Sequence, residues 1–452
     1  MKESLLSILR RLESQGVFER CFEIIFPDGE VFRSAGDEPI FRMHVKTDRA
    51  LKESITRGEI GFGEAYMHEE IDLEGDVQEV SAVGFKVFGA DLKPTLMERV
   101  KILMGMMSRR NTLEGSRKNI ATHYDLGNDF YSLWLDKKHM QYTCAYFESE
   151  RDTLEAAQEA KLDLVCRKLR LQPGDTLVEA GCGWGGLGLH AARKYGAKVR
   201  SYNISKEQVA FARAKAEKLG VGSDRLEYVL DDYRTIGANG EVYDKFVSVG
   251  MLEHVGVENY PNFFDIIRRV VKPNGMALVH SIGRYNPQKT SPWLEKYIFP
   301  GSLMPSLSEF VEPVEQKNSP LHVVDVENLR YHYALTLDHW SERFEKNVDD
   351  IRAEYGEAFV RMFRLYLRAS AAGFRYGGIM LYQVLLSNGM DDGAPMTRHH
   401  FLNVNKPARK APAARNGRTN GKASTRVKVN GKVNGAKSKN GAGRRKPAKA
   451  AR

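Results

Sequence analysis

Cysteine is scarce in this chain: four in 452 residues, with no CxxC pair. That count argues against a disulfide framework or a zinc site, fits a reducing compartment, and leads to the expectation of no metal. Long apolar runs are missing as well, so no segment is expected to span a bilayer. The opening MKESLLSILRRLESQG is charged and amphipathic, unlike a secretory signal. Nor is there a GxxxxGK[ST] run, which removes P-loop nucleotide hydrolysis from consideration. Acidic residues are absent from one long stretch. From Lys406 to Arg452 there are 16 Lys and Arg and no Asp or Glu, which leaves the body of the chain with 52 basic against 58 acidic residues, a net of −6 beneath the overall +10. A tail of Ala, Gly, Asn, Pro and Lys cannot bury a core, and 406–452 is expected to be disordered. Its charge suits adhesion to anionic lipid, nonspecific contact with nucleic acid, or solubility alone.

What the chain does carry is a glycine-rich turn. In VEAGCGWGG, Val178 to Gly186, a strand breaks into Gly181, Gly183, Gly185 and Gly186 and then a helix. Glycines permit φ > 0 and remove side chains where a ligand must approach backbone, and the helix start offers unpaired N–H groups. Alone, such a turn equally serves tight strand–helix packing. Apolar strands then recur at Lys198–Ile204, Leu226–Leu230, Lys245–Val249 and Met276–Ile282, separated by helical patterns at Lys206–Leu219 and Tyr260–Val271. This alternation predicts an α/β, doubly wound, Rossmann-like parallel sheet, whose ligands bind beyond the carboxyl ends of the strands. Those ends carry Glu179, Asn203 through Gln208, Asp231 with Asp232, Glu253 with His254, and His280. The turn is GxGxGG and the second strand ends in Asn203 without a ribose-binding carboxylate, so a nucleoside cofactor fits better than a dinucleotide.

Further motifs carry a resemblance. HYDLGNDFYSLWLD (His123–Asp136), MQYTCAYF (Met140–Phe147), VEAGCGWGG, VSVGMLEHVG (Val247–Gly256), HSIG (His280–Gly283) and KYIFPG (Lys296–Gly301) resemble the cyclopropane-fatty-acid-phospholipid synthase family, as does the segment from Tyr333 to Gln383. The resemblance implies a class I methyltransferase domain that uses S-adenosylmethionine to methylate the cis double bond of an unsaturated phospholipid acyl chain and close a cyclopropane ring. Methyl addition to an alkene leaves a cation, and ring closure needs a base that does not trap it. The resemblance supplies bicarbonate as that base, in a polar shell of Cys144, Glu253, His280, Ile282 and Tyr333. Backbone N–H groups, His280 and the Tyr333 hydroxyl would donate to the anion, and Glu253 would orient the histidine or take up the proton. Taken singly, Cys144 reads as a small buried hydrophobe, Glu253 and His254 as helix caps, His280 as a core histidine and Tyr333 as packing.

For the cofactor, the resemblance implies Tyr142 and Thr143 near the sulfonium, Glu179, Gly181, Gly183 and Gly185 under the methionine part, Asn203, Ser205 and Gln208 by the ribose, and Asp231 and Asp232 beside the adenine. Three positions depart from the family pattern: VEAG stands where an aspartate and a bulkier aliphatic are common, NIS replaces a threonine-led turn, and Ser370 occupies a helix position that often holds cysteine.

Domain organisation is expected as 1–105, a small α+β unit resembling the family's amino-terminal lipid-handling domain, then 106–400, the methyltransferase domain, then the tail. Strands are expected at Phe22–Phe26 and Phe41–Val45, and the polar run Met106–Asn119 as a linker. The stretch of about 284–350 lacks a sheet pattern and is expected to cover an acyl site, with the aromatics of SPWLEKYIFPG as a hydrophobic wall. Partners expected are the phospholipid and, through the tail, an anionic surface, with a homodimer as a further candidate. The expected location is cytoplasmic, peripheral to the inner face of the membrane. Rival readings are a fatty acyl C-methyltransferase giving methylene- or methyl-branched chains, an amine methyltransferase, and a nonenzymatic lipid- or nucleic-acid-binding protein.

Overall fold

A computed structural model describes residues 1–89, 126–287, 291–390, 393 and 395–402. The expected linker at Met106–Asn119 and the basic tail lie outside the described residues. The amino-terminal region holds α1 (Lys2–Ser14), β1 (Glu23–Ile25), β2 (Val31–Arg33), β3 (Phe41–Val45), α2 (Asp48–Arg57), α3 (Glu59–Met67), β4 (Ile71–Gly75) and α4 (Val77–Gly89). Its four strands form their own sheet in the order β2-β1-β3-β4, over a core that includes Leu6, Phe22, Phe32, Phe41 and Ile71. The strand expected at Phe41–Val45 is β3, and that at Phe22–Phe26 contains β1.

The second region contains α5 (Asn128–Trp134), α6 (Leu154–Lys168), β5 (Thr176–Ala180), α7 (Gly186–Lys194), β6 (Lys198–Asn203), α8 (Lys206–Lys218), β7 (Leu226–Leu230), β8 (Tyr243–Val249), α9 (Tyr260–Val270) and β9 (Val271–Arg284). After these come α10 (Pro292–Tyr297), α11 (Leu307–Val311), β10 (Leu321–Asn328), α12 (Arg330–Lys346), α13 (Val348–Tyr355), α14 (Glu357–Tyr376), β11 (Ile379–Asn388) and α15 (His399–Leu402). The sheet runs β10-β11-β9-β8-β5-β6-β7. Strands β5 to β9 are mutually parallel, as the alternation predicts. Beyond β9, β11 pairs antiparallel to β9 and β10 antiparallel to β11.

Those last two strands correct the expectation that 284–350 lacks sheet, because β10 lies inside it. Its LHVVDVEN is half-buried along most of its length, the pattern of an edge strand, and mixed polarity there leaves little periodic signal. The chain order reverses between β5 and β8, so the crevice at their carboxyl ends is the switch point where this architecture binds ligands.

Helix α14 joins the two regions. Arg361 donates to the carbonyls of Tyr66 at 2.8 Å and Ile71 at 3.1 Å, Arg368 pairs with Asp76 and Asp338, and Arg375 donates to Gln78 at 2.7 Å. Spaced seven apart, these arginines form a stripe along one face of α14. Helix α10 adds a second dock: Lys296 and Tyr297 reach Glu64 at 2.7 and 2.9 Å, and Trp293 packs so closely on Gly63 that a Cβ there would lie 2.2 Å from its indole nitrogen.

Candidate active site

The glycine turn leaves β5 with Gly181, Gly183 and Gly185 all at φ between +52° and +85°. Tyr202 of β6 accepts the N–H groups of Gly181 and Cys182, both at 3.0 Å, which anchors the turn to the neighbouring strand. Gly186 has ordinary φ, unlike the expectation for all four glycines; it is small because a Cβ would lie 2.6 Å from the His139 carbonyl. At Gly183 nothing lies within 4 Å of where a Cβ would be, so that backbone is open to a ligand. Asn203 binds the turn from the side, donating to the Gly183 carbonyl at 3.1 Å and to Gln208 at 2.8 Å, while Ser205 caps α8 at Gln208.

Beside this turn is a cavity of about 240 Å³ bordered by Gly181, Asn203, Ile204, Asp231, Asp232, Met251 and His254. Ile204 is 73% exposed, an apolar side chain at the cavity rim without a protein partner to bury it. Asp232 is committed to Arg234, which holds both carboxylate oxygens at 2.8 Å, and caps the turn that follows β7. Ser205 is placed at the start of α8 rather than in the cavity wall. Glu179 is placed elsewhere: it is buried within β5, bonded to Ser201 at 2.6 Å, and borders neither cavity. Burial raises its pKa to about 7.

A second cavity, of about 140 Å³, has mostly apolar walls that include Leu294, Phe299, Met304, Leu337, Phe374 and Leu381. Tyr142, Thr143, Glu253, His280, Ile282, Tyr333 and Ser370 also border it. His254 borders both cavities and forms wall that the two share. Of the aromatics expected as a hydrophobic wall, Phe299 borders this cavity, with Leu294 beside it, whereas Trp293 and Tyr297 are spent on the amino-terminal region.

The expected anion shell is brought together with two differences. Cys144 does not border the cavity; its thiol is buried, lies against the Ala145 carbonyl at 3.1 Å, and is held protonated by desolvation. The Ile282 N–H is already taken by Glu253 Oε1 at 2.6 Å, so it is not a free donor. Two buried polar atoms remain without partners, Glu253 Oε2 and His280 Nε2. Leaving such atoms unpaired costs about 1–3 kcal/mol each, which marks the cavity as built for a polar guest. Desolvation raises the Glu253 pKa to about 7 and the Tyr333 pKa well above its usual value, and holds His280 neutral.

The proton on His280 is placed by Lys168 and Gln383, which carry no local signal in the sequence. Lys168 Nζ, a donor only, binds Gln383 Oε1 at 2.7 Å and the Glu327 carboxylate. That fixes the amide, so Gln383 Nε2 donates to His280 Nδ1 at 3.1 Å. A neutral imidazole accepting at Nδ1 carries its hydrogen on Nε2, the unpartnered atom. Gln383→Leu is therefore expected to shift His280 toward the other tautomer in ¹⁵N-histidine NMR and to slow turnover roughly tenfold at unchanged cofactor affinity. An unaltered tautomer would remove this positioning role. Lys161 was likewise missed: fully buried on α6, it donates to Gln141 at 2.6 Å and to the Thr143 hydroxyl at 2.9 Å, its pKa lowered to about 8 by burial. A lysine inside the apolar face of AQEAKLDLV was the available signal.

A seven-stranded sheet closed by two antiparallel strands, with an open glycine turn at its switch point, defines a class I S-adenosylmethionine-dependent methyltransferase. The family model described as mycolic acid cyclopropane synthetase matches residues 111–384, and the chain belongs to that family. A model for a domain of unknown function matches residues 13–89. Cyclopropane-fatty-acyl-phospholipid synthase of Escherichia coli K12 is 37% identical over 362 residues, covering 79% of this chain and 90% of that protein. A probable fatty acid methyltransferase of Pseudomonas putida is 36% identical over 386 residues, covering 83% and 92%. Among solved structures, mycolic acid cyclopropane synthase CmaA1 complexed with SAH and CTAB superposes with a TM-score of 0.53 at 31% identity, over 61% of this chain and 99% of that one.

Proposed function

We propose that this enzyme closes a cyclopropane ring across the cis double bond of an unsaturated phospholipid acyl chain, with S-adenosylmethionine as the carbon source. The observation that carries the reading is an apolar cavity with two unpartnered polar atoms, Glu253 Oε2 and His280 Nε2, that shares the His254 wall with the cavity beside the glycine turn. Ring closure must remove a C–H proton inside the apolar cavity and so needs a base held there, a demand that methylation at nitrogen, whose N–H protons exchange with solvent, does not make. The open backbone at Gly183 and the polar border of Asn203 and Asp231 suit the cofactor, which when bound supplies an electrophilic methyl group.

Bicarbonate fits the donor set: His280 Nε2–H and the Tyr333 hydroxyl would hold the anion, which would supply a base. Glu253 is able to hold or release a proton at Oε2 near neutral pH, with its other oxygen fixed on the Ile282 N–H. Leu294, Phe299 and Leu381 offer an acyl chain apolar contact and keep water from the reacting carbon. Net addition of a methyl cation and loss of one proton adds CH₂ to the chain.

Expression in a host lacking the activity is expected to produce lipids about fourteen mass units heavier, with alkene protons replaced by cyclopropyl protons in NMR. A vinylidene signal instead would assign the methylene-branched product. The tail is read as an electrostatic tether to anionic lipid on the cytoplasmic face, since it holds all the surplus positive charge. No helix among the described residues is long and apolar enough to cross a membrane. Truncation after Asn405 should keep cofactor affinity and weaken binding to anionic vesicles, the difference shrinking as salt rises. Equal vesicle binding at low salt would end the tether reading.

A further inference from the structure

Away from both cavities, three side chains from separate segments converge: His139 from the loop after α5, Glu159 from α6 and His190 from α7. Each offers one ligand atom, and these atoms lie within 4.8 Å of one another. The His139 side chain is buried and its Nε2 has no hydrogen-bond partner, a donor atom left unsatisfied in the protein interior. His190 is oriented by Asp163, whose carboxylate lies 2.9 Å from its Nε2. Carboxylate-braced histidine is the usual support of a metal-binding imidazole. Glu159 is occupied only by Lys138 at 2.6 Å, and both side chains are substantially exposed, so a cation can displace the lysine at little cost.

We propose that His139, Glu159 and His190 bind a borderline divalent cation of the zinc or cobalt kind. Two imidazoles and a carboxylate are a donor set suited to such ions and unsuited to calcium or magnesium, which take oxygen cages. Bonds of about 2.0–2.1 Å require the three donors to draw together by roughly an ångström, a motion open to the half-exposed Glu159. The expectation of no metal rested on the cysteine count, which bears only on thiolate ligands, and this trio carries no local spacing motif because its members lie in three separate elements.

The ion's place in the fold indicates its role. His139 packs against the first turn of α7, where its carbonyl would meet a Cβ on Gly186, and it precedes Tyr142 and Thr143 of the cavity wall by a few residues. A metal there ties the segment leading to the apolar cavity to α6 and to the helix that follows the glycine turn. It is a clamp and takes no part in bond making.

Cobalt(II) added to the chelator-treated full chain tests this directly. One equivalent should bind with the visible d–d absorption of low-coordinate cobalt, zinc should bleach that absorption, and either metal should raise the melting temperature. His139→Asn and His190→Asn should each weaken binding by at least about 100-fold, and Asp163→Asn by 10–100-fold. Glu159→Gln, at a half-exposed position that the fold tolerates, should weaken it at least tenfold and remove the tetrahedral signature. Absence of stoichiometric binding to the full chain overturns the proposal. So does cobalt affinity unchanged in Glu159→Gln together with either folded histidine variant, since the ion would then sit elsewhere.

Discussion

Replacing Glu253 by glutamine is expected to cut turnover by roughly 100-fold or more while leaving cofactor affinity within about threefold. The amide oxygen still accepts the Ile282 N–H, so the turn after β8 keeps its anchor. What is lost is a group able to hold or give up a proton at Oε2. The same variant should be more stable than the parent at alkaline pH. Burial raises the Glu253 pKa from 4.5 to about 7, so the folded state holds this proton more tightly than the unfolded chain does. That contribution is fully present below the unfolded value and is lost as pH rises through about 7. The full swing is about 3 kcal/mol. Glutamine never ionises, so its urea midpoint should exceed the parent's at pH 8 and the gap should close by about pH 4.5. Glu179, also raised to about 7 but placed away from both cavities, supplies the comparison. Glu179→Gln should show the same pH-dependent stabilisation without the comparable fall in turnover. Full activity in Glu253→Gln, or an equal loss in Glu179→Gln, would sink the assignment.

The parallel half of the sheet was legible because its short, partly apolar strands recur at intervals between helical patterns, the signature of alternating β and α elements. The Leu226–Leu230 strand is β7 as read, and Lys198–Ile204 differs from β6 by one residue. The antiparallel edge was not legible, since β10 is half-buried along most of its length and mixes polar with apolar residues. At the site, polarity just past strand ends pointed to Glu253 and Asp231, because a polar residue ending an apolar run is a local signal; His280 ends the run MALVH but lies inside β9, which continues to Arg284. Cys144 illustrates the limit: a residue carried over by resemblance is placed behind the cavity wall, and the sequence has no information on which side of a loop a thiol turns. The relay from Lys168 through Gln383 to His280 was beyond reach for a related reason. Each member is a buried polar residue on an apolar element, and only the fold shows that they satisfy one another. Likewise the aromatics of SPWLEKYIFPG divide between two jobs that hydropathy does not distinguish, Phe299 on the cavity and Trp293 on Gly63.

Gly183→Val is expected to weaken S-adenosylmethionine binding by more than about 100-fold in calorimetry, in a chain that still folds. The backbone at Gly183 has φ +52° and faces open space, with no protein atom within 4 Å of a Cβ position. A valine's Cβ there meets no protein atom, and its side chain would fill the space a ligand would use. Its own cost is the left-handed backbone, roughly 1–2 kcal/mol for an L-residue, which a chain of this size withstands. Gly220→Val controls for that cost, since Gly220 also has positive φ (+67°) and no neighbour within 4 Å but lies past the carboxyl end of α8, away from the glycine turn. The two variants should lose similar stability, and only Gly183→Val should lose the cofactor. The effect should also be local: Asn203 holds the Gly183 carbonyl at 3.1 Å, so the loop is fixed and cannot swing aside to admit both valine and ligand. Unchanged affinity in a folded Gly183→Val would mean that the cofactor does not lie on this turn, and an equal loss in Gly220→Val would mean that backbone strain, and not occlusion, had been measured.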